Sequence, residues 1–238
     1  MKLSVCSRSV SNNSYAIKIL KKKFKKIILN KTNRILKGDE LVSFLKNSEA
    51  AIIGLEKIDK QLINQCPKLK FIGKYGVGTN NLDFKELKKK KIKIFLQRGI
   101  NKRSVSELTL NFMLLGLRKT YQTIKNVKKG EWPFFAGLEL RKKKIGIIGV
   151  GNIGKDLINL IKPFDCKIYC NDIKPNKTFF KKHNLKNSRL KKILLESDII
   201  TLHVPYDKTT KNIISKNEFS CLKKNVVLIN TSRGGIVN

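Results

Sequence analysis

The sequence predicts an α/β protein with two doubly wound parallel sheets, one in each of two domains. Short apolar runs alternate with segments of helical apolar spacing through the first 100 residues, and a second series of the same kind begins at residue 144. Such alternation favours parallel strands with helices on both faces of the sheet. A glycine-rich turn follows the first strand of the second series and is typical of a phosphate-binding βα unit. The predicted domains are 1–101 and 102–238.

Five apolar runs in the first domain are predicted as strands, and four segments with apolar residues three and four positions apart are predicted as helices. The strands are Lys2–Cys6, Lys26–Asn30, Ala50–Gly54, Phe71–Tyr75 and Lys93–Leu96. The helices are Tyr15–Phe24, Gly38–Leu45, Asp59–Gln65 and Asp83–Lys90.

The second domain begins with the longest continuous helix that the sequence predicts, Ser104–Val127, which Gly130 ends. A loop with turn residues and large aromatic side chains follows over 130–137. The later elements are predicted as strand Lys144–Ile148, helix Gly151–Ile161, strand Lys167–Asn171, helix Lys191–Leu195, strand Asp198–Val204 and strand Asn225–Thr231.

The most specific motif is the Gly-x-Gly-x-x-Gly formed by Gly149, Gly151 and Gly154 between the first strand and the first helix of this series. The first glycine permits the tight turn, the second lets a pyrophosphate approach the backbone, and the third lets the helix pack closely on the strand. The positive end of the helix dipole adds to the attraction for phosphate. The alternative, a glycine-rich turn of purely structural importance, explains the spacing less well.

An acidic residue at the expected distance strengthens this interpretation. Asp172 follows Gly154 by 18 residues and comes directly after the strand Lys167–Asn171. A carboxylate at that point can accept hydrogen bonds from both ribose hydroxyls of NAD. The predicted cofactor is therefore NAD, and we expect it to be preferred over NADP, although Lys174 lies close enough to weaken that preference.

Two further loops carry candidate binding groups. Gly76 and Gly78 follow the strand Phe71–Tyr75, so their loop is either a nest of backbone N–H groups for a carboxylate or a simple turn whose Asp83 caps the next helix. Arg233 follows the last strand at its carboxyl end, where ligands bind in open parallel sheets. Its guanidinium suits bidentate binding of a carboxylate, and a surface salt bridge is the alternative.

The net charge of +35 suggests nucleic acid or a membrane surface as a partner. The kind and the distribution of the basic residues favour another cause of this charge. Only 8 of the 52 basic residues are arginine, and the lysines are spread over many elements together with abundant Asn and Ile. A compositional bias of AT-rich codons is sufficient to explain this pattern. We therefore expect no specific nucleic acid partner, and a small anionic molecule as the substrate.

The remaining composition excludes several classes of protein. No apolar stretch approaches the roughly 20 residues of a membrane helix, and residues 1–8 have no apolar signal segment. The five cysteines form no Cys-x-x-Cys pair, which favours reduced thiols in a cytoplasmic protein without a metal site. Neither histidine is a good catalytic candidate, because His203 fits a structural role at a strand end and His183 lies in a polar, lysine-rich stretch where exposure is expected.

With these motifs assembled, the chain resembles the D-isomer-specific 2-hydroxyacid dehydrogenases, and most of all their phosphoglycerate dehydrogenase branch. The resemblance rests on five motifs in the family's order: 74–83, 101–109, 149–154, 197–205 with Thr210, and 230–237. Among the departures are Ser106 where the family usually has Ala and Lys142 where a glycine is common before the first Rossmann strand.

The resemblance implies a flavodoxin-like substrate domain, a Rossmann domain for NAD, an active site in the cleft between them, and a homodimer. It implies that Arg233 is the catalytic arginine, which binds the 2-oxo acid and polarises its carbonyl group. Substrate contacts are implied for Val77, Gly78 and Asn101. Cofactor contacts are implied for Gly149, Gly151, Asn152, Ile153, Gly154, Asp172, Val204, Thr231 and Ser232.

The resemblance also places a proton-transferring His and its orienting Glu after the arginine motif, whereas this sequence ends five residues after Arg233. The strands from residue 144 onward reach the fifth strand of the Rossmann fold, and the full fold has at least six strands. We therefore expect a fragment of a dehydrogenase for a small 2-hydroxy acid, plausibly 3-phosphoglycerate, that binds NAD but is nearly inactive. The alternative is a non-catalytic NAD-binding or sensing module.

Overall fold

The computed structural model describes all residues from 1 to 238 and divides the chain into two compact units, Met1–Ile100 and Asn101–Asn238. Each unit contains one sheet in which every strand pair is parallel. The predicted fold class is therefore confirmed. No helix of the chain has the length and apolar character needed to cross a membrane.

The sheet of unit 1 has the strand order β2-β1-β3-β4-β5, which is the flavodoxin-like order. Its strands are β1 (Lys2–Val5), β2 (Lys26–Leu29), β3 (Ala50–Ile53), β4 (Phe71–Lys74) and β5 (Lys93–Phe95). Its helices are α1 (Arg8–Ser11), α2 (Ser14–Lys23), α3 (Gly38–Leu45), α4 (Lys60–Gln65) and α5 (Phe84–Lys89).

Alternate side chains of the unit 1 strands supply the cores on the two faces of the sheet, as a strand's period of two requires. Ala51 and Ile53 belong to the larger core, to which α3, α4 and α5 contribute their apolar faces. Ala50 belongs to a smaller core with β1 and side chains of α1 and α2. The near-continuous apolar strands of this unit are thus explained by burial on both faces.

Unit 2 contains a four-stranded sheet with the order β7-β6-β8-β9. Its strands are β6 (Lys144–Ile148), β7 (Lys167–Asn171), β8 (Ile199–Leu202) and β9 (Val227–Asn230). Its α-helices are α6 (Lys102–Leu117), α7 (Thr120–Val127), α8 (Asn152–Ile161), α9 (Lys177–Lys182), α10 (Leu190–Glu196) and α11 (Lys216–Ser220). Short 3-10 turns cover Lys162–Phe164 and Gly234–Ile236.

The strands after residue 144 reach position 5 of the Rossmann order, but one earlier position of the sheet is reduced to a single bridge. In the Rossmann order 3-2-1-4-5-6, β7, β6, β8 and β9 occupy positions 2, 1, 4 and 5. At position 3, beyond β7, only the isolated parallel bridge between Cys170 and Asn187 forms. The lysine-rich sequence there supplies no apolar run that could be buried on both faces.

The prediction of one continuous helix over Ser104–Val127 was wrong. The chain breaks at Lys119, whose φ of 52° is left-handed, and so α6 ends at Leu117 and α7 begins at Thr120. The cause is tertiary: the Leu138 N–H donates to the Leu117 carbonyl at 2.9 Å, and Gly137 packs so closely on Arg118 that a Cβ would lie 3.2 Å from the Arg118 Cα. The 130–138 loop therefore ends α6, because it bonds to the last carbonyl group of the helix and packs on the residue after it.

His183 is also less exposed than the sequence indicates. The ring of His183 lies 4.3 Å from that of Phe179, and the side chain is half-buried. Burial, followed by the nearby charges of Lys182 and Lys162, lowers the pKa of His183. It is the C-cap residue of α9 and packs on Phe179 of the same helix.

The left-handed Lys142 provides a test of backbone strain before β6. Its φ is 59°, and its side chain is exposed. A left-handed conformation costs an L-residue about 1–2 kcal/mol, and a glycine avoids this cost. Glycine also loses more backbone entropy on folding, which cancels about half of the gain. Lys142→Gly should therefore stabilise unit 2 by roughly 0.5–1 kcal/mol. Calorimetric melting measures this, and Lys142→Ala is the control because it removes the same charge but keeps the Cβ. A glycine variant that melts no higher than the alanine variant would contradict the expectation.

Candidate cofactor and substrate site

The four strands of unit 2 end level with one another. Ile148 is in register with Asn171 and with Leu202, and Leu202 is in register with Asn230. The residues that follow, Gly149, Asp172, His203 and Thr231, therefore form a row along the carboxyl edge of the sheet. We call this row with its adjoining loops the β-edge site; it has the location at which open parallel sheets bind ligands.

Two of the motif glycines are required by the fold itself. Gly149 has a φ of 93°, and a Cβ on it would lie 2.6 Å from the carbonyl oxygen of His203. A Cβ on Gly154 would collide with the carbonyl oxygen of Gly149. The first glycine thus allows the turn beside β8, and the third allows α8 to lie close to the end of β6, as predicted from the spacing.

Gly151 is different, because nothing in the fold requires a glycine there. Its φ of −77° is accessible to any residue, and a Cβ would have no protein atom within 4 Å. It is the N-cap of α8 without a side-chain cap, and the N–H groups of Asn152 and Ile153 donate to no protein acceptor. The loop therefore leaves an open space above unpaired N–H donors at the positive end of a 10-residue helix.

Asp172 is held beside this loop. Its Oδ2 accepts the N–H of Val150 at 2.7 Å, and its Oδ1 accepts the N–H of Lys174 at 2.7 Å. Asn187 fixes the backbone of Asp172 with a reciprocal pair of hydrogen bonds of 2.9 Å. Each carboxylate oxygen keeps a further lone pair, so the group both anchors the glycine loop and can accept ribose hydroxyls. The preference for NAD over NADP stays a prediction.

At the end of β8, His203 is a structural residue rather than an acid or base. Its backbone N–H donates to the carbonyl of Ile148. In the ring, Nε2 lies 3.0 Å from the hydroxyl of Thr201, and Nδ1 is buried without a hydrogen-bond partner. Burial lowers the pKa of His203 to about 4, so the ring is neutral at pH 7. The next residue, Val204, is half-buried and approaches Gly149 from the side of β8.

Arg233 follows β9 on a loop that is tied to its surroundings. Ser232 Oγ donates to the carbonyl of Leu202 at 2.6 Å, and the hydroxyls of Thr231 and Thr109 lie 3.3 Å apart. The side chain of Arg233 is exposed, and its only hydrogen bond is from Nη1 to the carbonyl of Ser232 at 2.8 Å. No ion pair of the chain includes Arg233, so the salt-bridge alternative is not what the structure shows.

In unit 1, the loop after β4 presents unpaired donors of its own. Gly76 has a φ of 90°, and the N–H groups of Val77 and Gly78 donate to no protein acceptor. The base of the loop is fixed because Asn81 Nδ2 donates to the carbonyl of Glu56 at 2.6 Å. Asp83 caps α5 by accepting the N–H of Glu86. The turn interpretation and the nest interpretation are therefore compatible with each other.

Asn101 begins unit 2 as the N-cap of α6, and its Oδ1 is buried without a hydrogen-bond partner. The helix that it starts packs on α8 and makes two polar contacts with it. Ser106 donates to the carbonyl of Ile153 at 3.3 Å, and Arg103 lies 3.2 Å from both carboxylate oxygens of Asp156, with hydrogen-bond geometry only from Nη2. A serine where the family usually has Ala is thus accommodated by a hydrogen bond.

The structure therefore places the predicted residues in three locations. Those at the β-edge site are Gly149, Gly151, Asn152, Ile153, Gly154, Asp172, Val204, Thr231, Ser232 and Arg233. Val77 and Gly78 lie on the β4–α5 loop of unit 1, and Asn101 begins α6. Sequence reasoning missed Thr109 and Asn230; an Asn between a strand and a turn was the signal for the second, because such residues commonly bond to the following backbone.

A parallel α/β unit with a glycine loop, an uncapped helix N-terminus and an acid after the second strand defines a dinucleotide-binding domain. Residues 110–238 match the NAD binding domain of the D-isomer specific 2-hydroxyacid dehydrogenases, and the chain belongs to this family. The predicted resemblance is thus confirmed, and with it NAD as the cofactor of this domain.

Relatives with several activities are similar to the chain. It is 32% identical over 203 residues to D-3-phosphoglycerate dehydrogenase of Archaeoglobus fulgidus (84% of this chain, 38% of the relative). It is 31% identical over 227 residues to hydroxypyruvate reductase of Thermotoga maritima (92% and 73%). The chain thus spans about two fifths of the length of the first relative.

Among solved structures, D-lactate dehydrogenase from Aquifex aeolicus, complexed with NAD and lactic acid, matches with a TM-score of 0.86 and 26% identity. That match covers 100% of this chain and 71% of the other. The NAD+-bound 3-phosphoglycerate dehydrogenase of Entamoeba histolytica matches with a TM-score of 0.78 at 23% identity, which supports the fold.

The open space at Gly151 gives a binding prediction. Gly151→Val should weaken NADH binding at least about tenfold, roughly 1.4 kcal/mol, because its side chain enters the space above the α8 N–H groups. The melting temperature should change little, since no protein atom lies there. Titration of NADH fluorescence measures the affinity.

Gly154→Ala is the contrasting variant, since its Cβ meets the Gly149 carbonyl and should lower the stability of unit 2. Retained NADH affinity in Gly151→Val would show that the open space is not the pyrophosphate position.

Proposed function

We propose that the protein is an NAD-dependent oxidoreductase that transfers a hydride between the nicotinamide and C2 of a small 2-hydroxy or 2-oxo acid. The observation that carries this proposal is the β-edge site itself. There an uncapped helix N-terminus and an arginine without an acidic partner follow strands that end level. The first group suits a pyrophosphate, and the second suits a carboxylate or a ketone oxygen.

The cofactor would be held by the glycine loop and the strand ends. Asn152 and Ile153 would donate their backbone N–H groups to the pyrophosphate, and Asp172 would accept from the ribose hydroxyls. We propose Val204, Thr231 and Ser232 as further cofactor contacts, because they follow the strands that end beside the glycine loop. NADH, when bound, supplies the hydride.

Arg233 is the proposed catalytic residue. Its guanidinium is permanently charged, and its fork of N–H donors fits the carboxylate and the C2 oxygen of a 2-oxo acid. As C2 receives the hydride, negative charge develops on that oxygen, and a fixed cation nearby stabilises the transition state. We propose that the N–H groups of Val77 and Gly78 bind the substrate carboxylate and that Asn101 contributes a polar side chain.

The reduction also needs a proton at the C2 oxygen. His203 does not fit this task, since it is neutral at pH 7 and its Nε2 is engaged by Thr201. The family resemblance assigns the proton transfer to a His after the arginine motif. The proposed tasks of this chain's own residues are therefore binding, orientation and polarisation.

The substrate that we propose to test first is 3-phosphoglycerate, with 3-phosphohydroxypyruvate as its oxidised form. Support comes from the relatives named as D-3-phosphoglycerate dehydrogenase and from the net charge of +35, which favours a phosphorylated anion. Glyoxylate and hydroxypyruvate are the alternatives, because other relatives are named as reductases of these acids.

Binding of oxalate, an unreactive 2-oxo acid mimic, tests the role of Arg233 without requiring turnover. Arg233→Ala should weaken oxalate binding to the NADH complex about 100-fold, because two charge-assisted hydrogen bonds are lost at about 1.5–3 kcal/mol each and water replaces part of them. The affinity for NADH itself should stay within about twofold. Calorimetric titration measures both.

Arg189→Ala is the matched control, because it removes the same charge from an exposed residue of unit 2. Unchanged oxalate affinity in Arg233→Ala would refute the catalytic assignment. NADH binding without any oxalate binding by the unmodified chain would favour the NAD-binding module instead.

We also propose that the protein is a homodimer, supported by apolar side chains that unit 2 leaves exposed. Nine large apolar residues between 108 and 138 are exposed, among them Trp132 at 89% and Phe134 at 91%. Monomers rarely expose so much apolar surface in one segment. Light scattering should give twice the monomer mass, and the double variant Trp132→Glu, Phe134→Glu should give the monomer mass. Tyr15→Glu, in unit 1, is the control, and a monomeric parent chain would disprove the proposal.

A further inference from the structure

The β9 strand ends with Asn230, a residue to which the proposed function assigns no task. Its side chain is exposed and contributes nothing to either apolar core of unit 2. Both ends of its amide nevertheless form hydrogen bonds, and both bonds go to the backbone of the loop that carries Arg233. We propose that Asn230 is a positioning residue for Arg233, an inference that rests on the proposed function of that arginine.

The two bonds of Asn230 close the loop over three residues. Its Oδ1 accepts the N–H of Ser232 at 3.0 Å, and its Nδ2 donates to the carbonyl of Arg233 at 2.8 Å. The first bond alone is an Asx turn, which an aspartate can also make. The second requires an amide donor, so only Asn among the residues of this size makes both bonds.

Other contacts hold the two flanks of the loop on either side of Arg233. Before it, the Ser232 hydroxyl is bonded to β8, and the Thr231 hydroxyl is near that of Thr109. After it, the N–H of Asn212 donates to the carbonyl of Gly235 at 2.9 Å. Between these anchors, the carbonyl of Arg233 accepts from Asn230 and from the N–H of Ile236, within the short 3-10 turn.

The extended backbone of Arg233, with φ of −144° and ψ of 145°, follows from this closure. Its guanidinium leans only on the carbonyl of Ser232, so the direction of the side chain depends on the orientation of the Ser232–Arg233 peptide. The Asn230 amide bonds to the peptide before this one, through the Ser232 N–H, and to the peptide after it, through the Arg233 carbonyl. It therefore restrains the Ser232–Arg233 peptide from both sides. Removal of this amide should leave the fold intact and the charge present but let the guanidinium point in several directions.

The test is a double-mutant cycle on the whole chain, with oxalate binding to the NADH complex as the readout. Asn230→Ala should weaken oxalate binding about tenfold and leave NADH affinity within about twofold. Asn230→Asp keeps the acceptor but not the donor and should behave like Asn230→Ala. In the Arg233→Ala background, Asn230→Ala should have no further effect. Asn217→Ala, an exposed Asn of α11, is the control.

The outcomes separate the two proposals. If Arg233→Ala does not change oxalate affinity, the proposed function fails, and the positioning role fails with it. If Arg233→Ala weakens oxalate but Asn230→Ala does not, or weakens it equally in both backgrounds, only the positioning role is overturned. A loss of NADH affinity or of melting temperature in Asn230→Ala, as large as its effect on oxalate, would also overturn it, because it would indicate general damage to unit 2.

Discussion

The parallel register of β6 with β7 and β8 is the constraint on which the rest of unit 2 depends. Because these strands end level, their following residues share one edge, and hydrogen bonds from Gly149 to Asn171 and from His203 to Ile148 continue the ladder just past that edge. A slip of one residue would turn every strand side chain to the opposite face and would also separate the glycine loop from Asp172. The core and the candidate site are thus fixed by the same pairing.

Fold and function make different demands on three glycines of one motif. Gly149 and Gly154 are needed where α8 approaches the sheet, since a Cβ on either would meet a backbone carbonyl group. Gly151 has an ordinary backbone conformation and open space around it, so its importance lies with a ligand. The charged residues differ in the same way. Asp172 is needed by the fold, because it anchors the glycine loop through Val150. Arg233 has no acidic partner within the chain, so its charge is available to a ligand.

The sequence predicted all nine strands to within two residues of their ends. Apolar burial on both faces gives such strands a strong pattern. The sequence could not predict the break at Lys119, because Leu138, which bonds to Leu117, comes 21 residues after it in the chain. The role of Thr109 was missed for the same reason, since its partner Thr231 lies far along the chain. Asn230 bonds to residues close in the chain, and its position between a strand and a turn was a local signal that was not used.

The sequence by itself determined the fold class, the family and the cofactor, because each depends on patterns along the chain. These patterns are the alternation of apolar runs and helical segments, five motifs in the family's order, and the strand, glycines, helix and acid of one βαβ unit. Only the tertiary structure decided what the individual residues of the site do. It distinguished the glycine that leaves space from those that permit packing, showed Arg233 without an acidic partner, and gave His203 a neutral ring with a buried Nδ1. Spacing along the chain specifies which groups are near one another in an element, whereas accessibility, pairing and protonation depend on the neighbours that packing brings from elsewhere.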